Sequence, residues 1–155
     1  QTQVGHVHLH TGNLEFSDGF YRDVLGFDGT VKLPGQMSFV AAGGYHHHIG
    51  YNLWRGAGIP PRPADAAGID YLTVVLPDDT AREQVIARVE AAGLDLSGHP
   101  EGVLLRDPAG IRVLLTAAAD THIEGEGSLL APQSAVGVEL RSLLFQSGTA
   151  RAISA

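Results

Sequence analysis

The sequence predicts an α+β domain built from two βαβββ modules, and three observations support this fold class. Short segments with apolar residues at alternate positions, typical of strands, flank segments with helical spacing. Glycine and proline pairs separate these segments, as expected for tight turns. The same order of elements recurs about 65 residues further on, which indicates an internal duplication. We expect modules at residues 4–54 and 69–116, within a single domain at residues 1–116.

Five elements are expected in the first module. Val4–Thr11 alternates with a period of two residues and predicts a strand. Asn13 is suited to cap a helix that runs to Leu25, and Gly26 is suited to end it. Three extended segments complete the module, at Phe27–Leu33, Met37–Ala42 and Tyr45–Trp54, with turns at Pro34-Gly35 and Gly43-Gly44.

A linker and a second set of elements follow. Residues 55–68 are rich in Gly, Pro and Ala and predict the linker. The pattern then predicts a strand at Ile69–Leu76 and a helix that Asp78 or Asp79 caps and that runs to Ala92. Three short strands are expected after it, at Leu94–Leu96, Gly102–Arg106 and Ile111–Thr116.

The C-terminal extension, residues 117–155, does not fit the repeat, and its role is unknown. Within it, Val136–Phe145 is compatible with an extra strand or a short helix that covers a sheet edge or reaches a partner subunit. Disorder of the extension is the alternative, because chain termini are often loose.

Composition excludes several classes of function. Lys and Arg number 10 against 17 Asp and Glu, a net charge of −7, so the chain lacks the basic face that nucleic-acid binding needs. The absence of cysteine excludes disulfide scaffolds, Cys-bound zinc and Cys nucleophiles, and it fits a cytoplasmic location. The chain has no apolar run long enough to span a membrane, and its polar start does not predict a signal peptide.

Histidine is the residue type that indicates a functional site, because most of the chain's 8 histidines fall in two short stretches. Alternation along the first strand predicts that His6, His8 and His10 share one face. In the strand expected at residues 45–54, His47 should lie on the helix-facing side. His46 and His48 should lie on the opposite face. Neutral imidazoles on a concave face either bind a metal or line a wet polar cavity, and the residues alone leave both open.

The motifs together resemble one superfamily. GHVHLHTGNLEFSDGFYRDVLGF at residues 5–27 and VLLRDPAGIRVLL at 103–115 resemble the vicinal oxygen chelate superfamily. That superfamily includes glyoxalase I, bleomycin-resistance proteins and type I extradiol dioxygenases. AAGGYHHHIGYNLWRGAGIPPRP at 41–63 and GIDYLTVVLPD at 68–78 are similar to the second half of catechol-2,3-dioxygenase-like proteins. The resemblance implies a curved mixed sheet that forms a cup, with a divalent metal held by inward-facing side chains.

The resemblance also implies site residues. Its metal-ligand positions fall on His6 and His48, with His46 as a neighbour on the same face. Two further positions depart from the pattern, because Tyr71 stands where a His is usual and Leu114 where a Glu is usual. We expect the set of metal ligands to be completed in one of two ways. A homodimer could join two half-sites, or Glu139 of the C-terminal extension could supply the missing carboxylate.

Three functions follow from the resemblance. The first is a metal-dependent enzyme with Fe(II) or Mn(II) on His6 and His48 that acts on a small oxygen-chelating substrate. Tyr71 would serve it as a hydrogen-bonding group or as an acid or base, and His8 or His46 as a base behind the metal ligands. The second is a metal-free protein that sequesters a flat small molecule. The third is a regulatory or accessory module, so whether the chain is an enzyme stays open.

Overall fold

The chain folds into two sheets of the same topology, each with its helical segment on one face. The structure is a computed structural model that describes residues 5–63 and 66–118 and the backbone of residues 144–145. Within those residues, no helix is long and apolar enough to cross a membrane.

The first sheet has the strand order β1-β4-β3-β2, in which β1 and β4 are parallel and the other pairs antiparallel. A helix lies between β1 and β2; its α-helical part, α1, continues into a π-helical segment. The bounds are β1 Val7–His10, α1 Leu14–Asp18, the π-helical segment Gly19–Val24, β2 Asp28–Leu33, β3 Met37–Ala41 and β4 Ile49–Asn52.

The second sheet repeats this arrangement, with the order β6-β9-β8-β7 and a parallel pair formed by β6 and β9. The predicted duplication of a βαβββ unit is therefore confirmed. The bounds are β6 Tyr71–Leu76, α2 Asp79–Ala91, β7 Ser97–His99, β8 Gly102–Arg106 and β9 Arg112–Ala117.

Side-chain caps begin both helices, as predicted. Asn13 Oδ1 accepts from the backbone N–H groups of Glu15 at 2.9 Å and Phe16 at 3.1 Å. Of the two aspartates considered for α2, Asp78 is the cap, because its Oδ1 accepts from Ala81 N at 2.7 Å.

The prediction of a strand at Leu94–Leu96 is wrong, because the corresponding strand of the second module, β7, lies at Ser97–His99. Leu94 N still donates to the Val89 carbonyl at 3.1 Å, so this residue takes part in the C-terminal cap that follows α2. Leu94 and Leu96 alternate because both pack against the core as the chain leaves the helix.

A short two-residue strand, β5 (Gly68–Ile69), pairs antiparallel with β10 (Leu144–Phe145). β10 lies within Val136–Phe145, the segment for which an extra strand was one expectation. The rest of the C-terminal extension, including Glu139, lies outside the described residues.

Tyr51 anchors β4 against the helix of the first module. Its side chain is buried, and its hydroxyl donates to Asp18 Oδ1 at 2.6 Å. Lys32 Nζ donates to Asp18 Oδ2 at 2.6 Å. Burial raises the pKa of Asp18, but the hydrogen bonds from Lys32 and Tyr51 outweigh it and leave this pKa below its usual range. These contacts fix the buried side of β4, the strand that follows the histidine-rich segment.

The linker packs closely against both modules. Gly58 N donates to the Gly12 carbonyl at 2.7 Å, and a Cβ added at Gly12 would lie 2.4 Å from the Ile59 carbonyl oxygen. In the second module, a Cβ at Gly110 would meet the Pro61 Cβ at 3.0 Å. Residues 58–61 therefore have a defined path between the two sheets.

Gly12→Ala is expected to lower the free energy of unfolding by about 1–3 kcal/mol, because the added methyl group displaces the linker backbone. Urea denaturation followed by circular dichroism measures the change. Gly98→Ala is the matched control, since a Cβ there has nothing within 4 Å, and it should stay within about 0.5 kcal/mol of the parent. Equal stability of the two variants would contradict the described path of the linker.

Candidate metal centre

The histidines of β1 and its N-terminal flank lie on the exposed face of the first sheet. Val7 and Leu9 are buried, while His6, His8 and His10 are exposed, so the predicted alternation is confirmed. The core on one side of β1 thus forces the imidazoles to the other side.

Alternation does not extend through the second histidine stretch, because β4 begins only at Ile49. Gly43 and Gly44 adopt positive φ angles of 65° and 73° and form a turn after β3. The segment that follows is irregular, so a residue's place in the sequence does not fix its face.

His47 shows the consequence. It was expected on the helix-facing side, and that interpretation is wrong: its ring is half-buried and lies 4.5 Å from the His6 ring and 4.4 Å from the His46 ring, centre to centre. The turn brings His46 and His47 together beside β1.

His6, His46 and His47 form a histidine trio. One ring nitrogen from each residue lies within 4.8 Å of the other two. In the described part of the chain, no other group of three or more His, Cys, Asp or Glu residues brings its ligand atoms so near to one another. Bonds of about 2.0–2.2 Å to one metal ion would require these nitrogens to approach one another to roughly 3–3.5 Å.

His48, the other expected ligand, faces a different partner. Its Nδ1 accepts a hydrogen bond from the Ala42 backbone N–H at 3.2 Å, and its ring lies 4.6 Å from that of Tyr45. In a neutral imidazole with Nδ1 accepting, Nε2 carries the proton, so neither nitrogen offers a free lone pair. His48 closes the turn between β3 and β4, and its role as a ligand stays a prediction.

Three of these side chains have a pKa below the ordinary value for histidine. The pKa of His47 is lowered by desolvation and by the neighbouring charges of His46, His6 and His8. Burial also lowers the pKa of His48 and of His8, to which nearby histidines contribute further. The lowered pKa of His47 favours its neutral imidazole, the form in which histidine binds metals.

Tyr71 belongs to the second sheet, where it begins β6. Its half-buried ring lies 6.0 Å from that of His99. Leu114, at the position where the resemblance implies a Glu, is fully buried in β9 and pairs with Thr73 of β6. The second sheet thus presents Tyr71 but no carboxylate at these two positions.

Two aromatic residues that sequence reasoning left aside accompany the histidines. Trp54 has 64% of its surface exposed and lies 5.2 Å from the His8 ring, and Phe39 lies 4.8 Å from the His47 ring. The sequence could have indicated Phe39, because this residue lies in β3, the strand that pairs with β4. Tryptophan more often fills a core, so its residue type alone does not indicate the exposed position of Trp54.

The chain is similar in sequence to a curated protein. A catechol-2,3-dioxygenase of Bacillus subtilis (strain 168) is 45% identical over 108 residues, which cover 69% of this chain. The chain spans 38% of the length of that protein. The expectation that the match lies in the second half of such proteins stays a prediction. No family model matches the chain.

Solved structures share the fold. A glyoxylase/bleomycin resistance protein/dioxygenase domain from Frankia sp. EAN1pec superposes with a TM-score of 0.63 at 20% identity, covering 79% of this chain and 96% of that one. Lactoylglutathione lyase from Agrobacterium tumefaciens superposes with a TM-score of 0.55 at 24% identity, covering 76% and 94%. The chain has the fold of the vicinal oxygen chelate superfamily, and its resemblance to that superfamily is confirmed.

Proposed function

We propose that the chain binds a divalent metal ion at the histidine trio and presents it to a small molecule with two neighbouring oxygen atoms. The observation that carries this proposal is the convergence of three imidazoles on an exposed face. Fe(II) and Mn(II) are the ions we favour. Imidazole nitrogen suits several transition metals, and the fold is shared with solved structures described as a putative dioxygenase and a possible glyoxalase.

The trio differs from the set of two His and one carboxylate that non-haem Fe(II) oxygenases use, because it consists of three imidazoles and no carboxylate. A bound ion would keep its full charge and act as a Lewis acid on an oxygen ligand. Exposure of His6 and His46 leaves the solvent side of the trio open. This donor set therefore favours a ligand that brings negative charge, such as a catecholate or an enediolate.

Ring cleavage of a catechol is the specific reaction we propose, supported by the name of the Bacillus relative. The reaction consumes one dioxygen molecule, breaks one ring C–C bond and places both oxygen atoms in the product, so no external reductant is needed. Tyr71 would take part as an acid or base if a second copy brings its second sheet opposite the trio. The homodimer is thus a proposal, and the cytoplasmic location and the expectation of no nucleic-acid or membrane partner stay predictions.

A metal-free binding protein is the alternative function. The observation that favours it is the exposure of Trp54 and Tyr45 beside the histidines, at 64% and 41% of their surfaces. Such a surface would hold a flat ligand by stacking without any chemistry.

Reconstitution with metal tests the proposed function. The full chain is stripped with a chelator and supplied anaerobically with Fe(II) or Mn(II), and dioxygen uptake is then followed with catechol. We expect uptake only in reconstituted protein, with a decrease of at least about 100-fold in His6→Ala, whose lost imidazole is a direct ligand. His99→Ala, in the second sheet, is the control and should retain uptake. Catechol binding that is indifferent to chelation, with no uptake, would contradict the enzyme and favour the alternative.

A further inference from the structure

The second module contains a cavity beside β8, at the point where β7 has not yet begun. β7 starts at Ser97, which pairs with Leu104 of β8, so Leu105 and Arg106 extend beyond the start of β7. The segment that leads from α2 to β7, residues 94–96, borders this part of β8 across a cavity of about 460 Å³. A cavity of this size is within the range that holds small molecules.

Apolar and charged side chains line the cavity together. Leu94 and Leu96 are half-buried and pack against the hydrophobic core, and Leu105 belongs to that core. These side chains give the cavity an apolar floor. The further lining residues are Asp95, Ser97, Leu104, Arg106 and Arg112.

The two arginines of the cavity lie directly opposite each other in β8 and β9. Like charges at such a pair destabilise a sheet unless an anion compensates them. Arg112 has its compensation, since Nη2 forms an ion pair with the Asp70 carboxylate and Nε donates to the Asp70 carbonyl at 3.3 Å. Arg106 Nη1 donates to the Gly110 carbonyl at 3.0 Å, which is a neutral acceptor. Within the described residues, no carboxylate forms an ion pair with Arg106.

The turn between these arginines is held from inside the protein. The buried Asp107 carboxylate accepts from the N–H groups of Ala109 and Ile111 and from the Tyr21 hydroxyl. Arg106 and Arg112 directly flank this anchored turn, so their backbone positions are set before any ligand binds. Such preorganisation lowers the entropic cost of binding.

We infer that the cavity binds a small monocarboxylate with an apolar body, such as a short fatty acid. A guanidinium has five N–H donors, and the bond to Gly110 uses one of those of Arg106, so others can donate to the carboxylate. The apolar body would lie on the leucines of the floor. Asp95, which is exposed at the cavity, disfavours a second negative charge on the ligand. The site belongs to the second module and does not depend on the proposed metal centre.

Hexanoate and its uncharged analogue hexanamide are the probes. They are titrated into the full chain with a chelator present, so that no metal ion competes for the carboxylate. Titration calorimetry should show that hexanoate binds more tightly than hexanamide and that Arg106→Gln weakens hexanoate about tenfold. From butyrate to hexanoate, the affinity should rise about threefold for each added methylene group, because these groups are buried on leucine side chains. Arg82→Gln, which removes an arginine of α2 outside this cavity, is the matched control and should bind hexanoate like the parent.

Amide chemical shifts of the parent locate the ligand without any substitution. Hexanoate should shift the amide signals of residues 94–97 and 105–106 and leave those of His6 and His8 unchanged. Asp95→Asn should bind hexanoate at least as tightly as the parent. The inference would be overturned by equal affinity for hexanoate and hexanamide, by an unchanged affinity in Arg106→Gln, or by shifts confined to another part of the chain. Weaker binding in Asp95→Asn would equally overturn it, since the ligand would then need a positive charge.

Discussion

His47→Ala should lower the affinity of the chain for Mn(II) by at least about 100-fold. The substitution removes one of three proposed ligands, and even partners that only orient a ligand contribute 10–100-fold by typical estimates. His47 is half-buried, between the rings of His6, His46 and Phe39, so its loss also loosens the other two imidazoles. Equilibrium dialysis against Mn(II), with metal analysis of the protein fraction, measures the affinity.

His48→Asn is the matched control for this prediction. Its side-chain oxygen can accept the hydrogen bond that His48 Nδ1 now receives from Ala42, so the turn that positions the trio is retained. We expect Mn(II) affinity within about threefold of the parent, since no lone pair of His48 is free for a metal. A larger loss in His48→Asn than in His47→Ala would overturn the trio and restore the ligand pair His6 and His48.

Asp107→Ala should lower the free energy of unfolding by about 3–5 kcal/mol, because it leaves several buried donors without a partner. Asp107 Oδ2 accepts from the Tyr21 hydroxyl at 2.8 Å, and Oδ1 accepts from the N–H groups of Ala109 at 2.9 Å and Ile111 at 2.7 Å. Tyr21 belongs to the first module and is fully buried, so this carboxylate joins the two modules. Burial raises the pKa of Asp107 and of Tyr21.

Tyr21→Phe separates the contributions, since it removes only the hydroxyl and keeps the ring stacked on Tyr51. It should lower the free energy of unfolding by about 1–2 kcal/mol in urea denaturation. Should Asp107→Ala fail to fold, Asp107→Asn, which keeps an acceptor for the two backbone donors, should fold with an intermediate stability. A change below about 0.5 kcal/mol in Asp107→Ala would contradict the described contact between modules.

The fold was largely predictable from the sequence because its elements follow from patterns among residues that are close in sequence. Alternation in Val7–His10, the cap at Asn13 and the repeated order of elements each depend on residues close in sequence. The π-helical segment Gly19–Val24 was not predictable, since it differs from an α-helix only in which backbone groups pair.

The site was less predictable than the fold. His6 and His8 follow from the period of a strand, but His46 and His47 lie in an irregular segment whose path depends on Gly43 and Gly44. Asp107 illustrates the same limit. Its place before Pro108 predicts a turn, and it does accept the turn's N–H groups, but its bond to Tyr21 joins residues 86 positions apart. No local pattern indicates such a contact.

X-ray absorption at the manganese edge of the reconstituted chain tests the proposed centre most directly. We predict scattering from three imidazole ligands with Mn–N distances near 2.2 Å. The number of imidazoles should fall to two in His47→Ala and remain three in His48→Asn. A spectrum with no imidazole scattering, or one in which His48→Asn loses a ligand and His47→Ala does not, would contradict a metal centre at His6, His46 and His47.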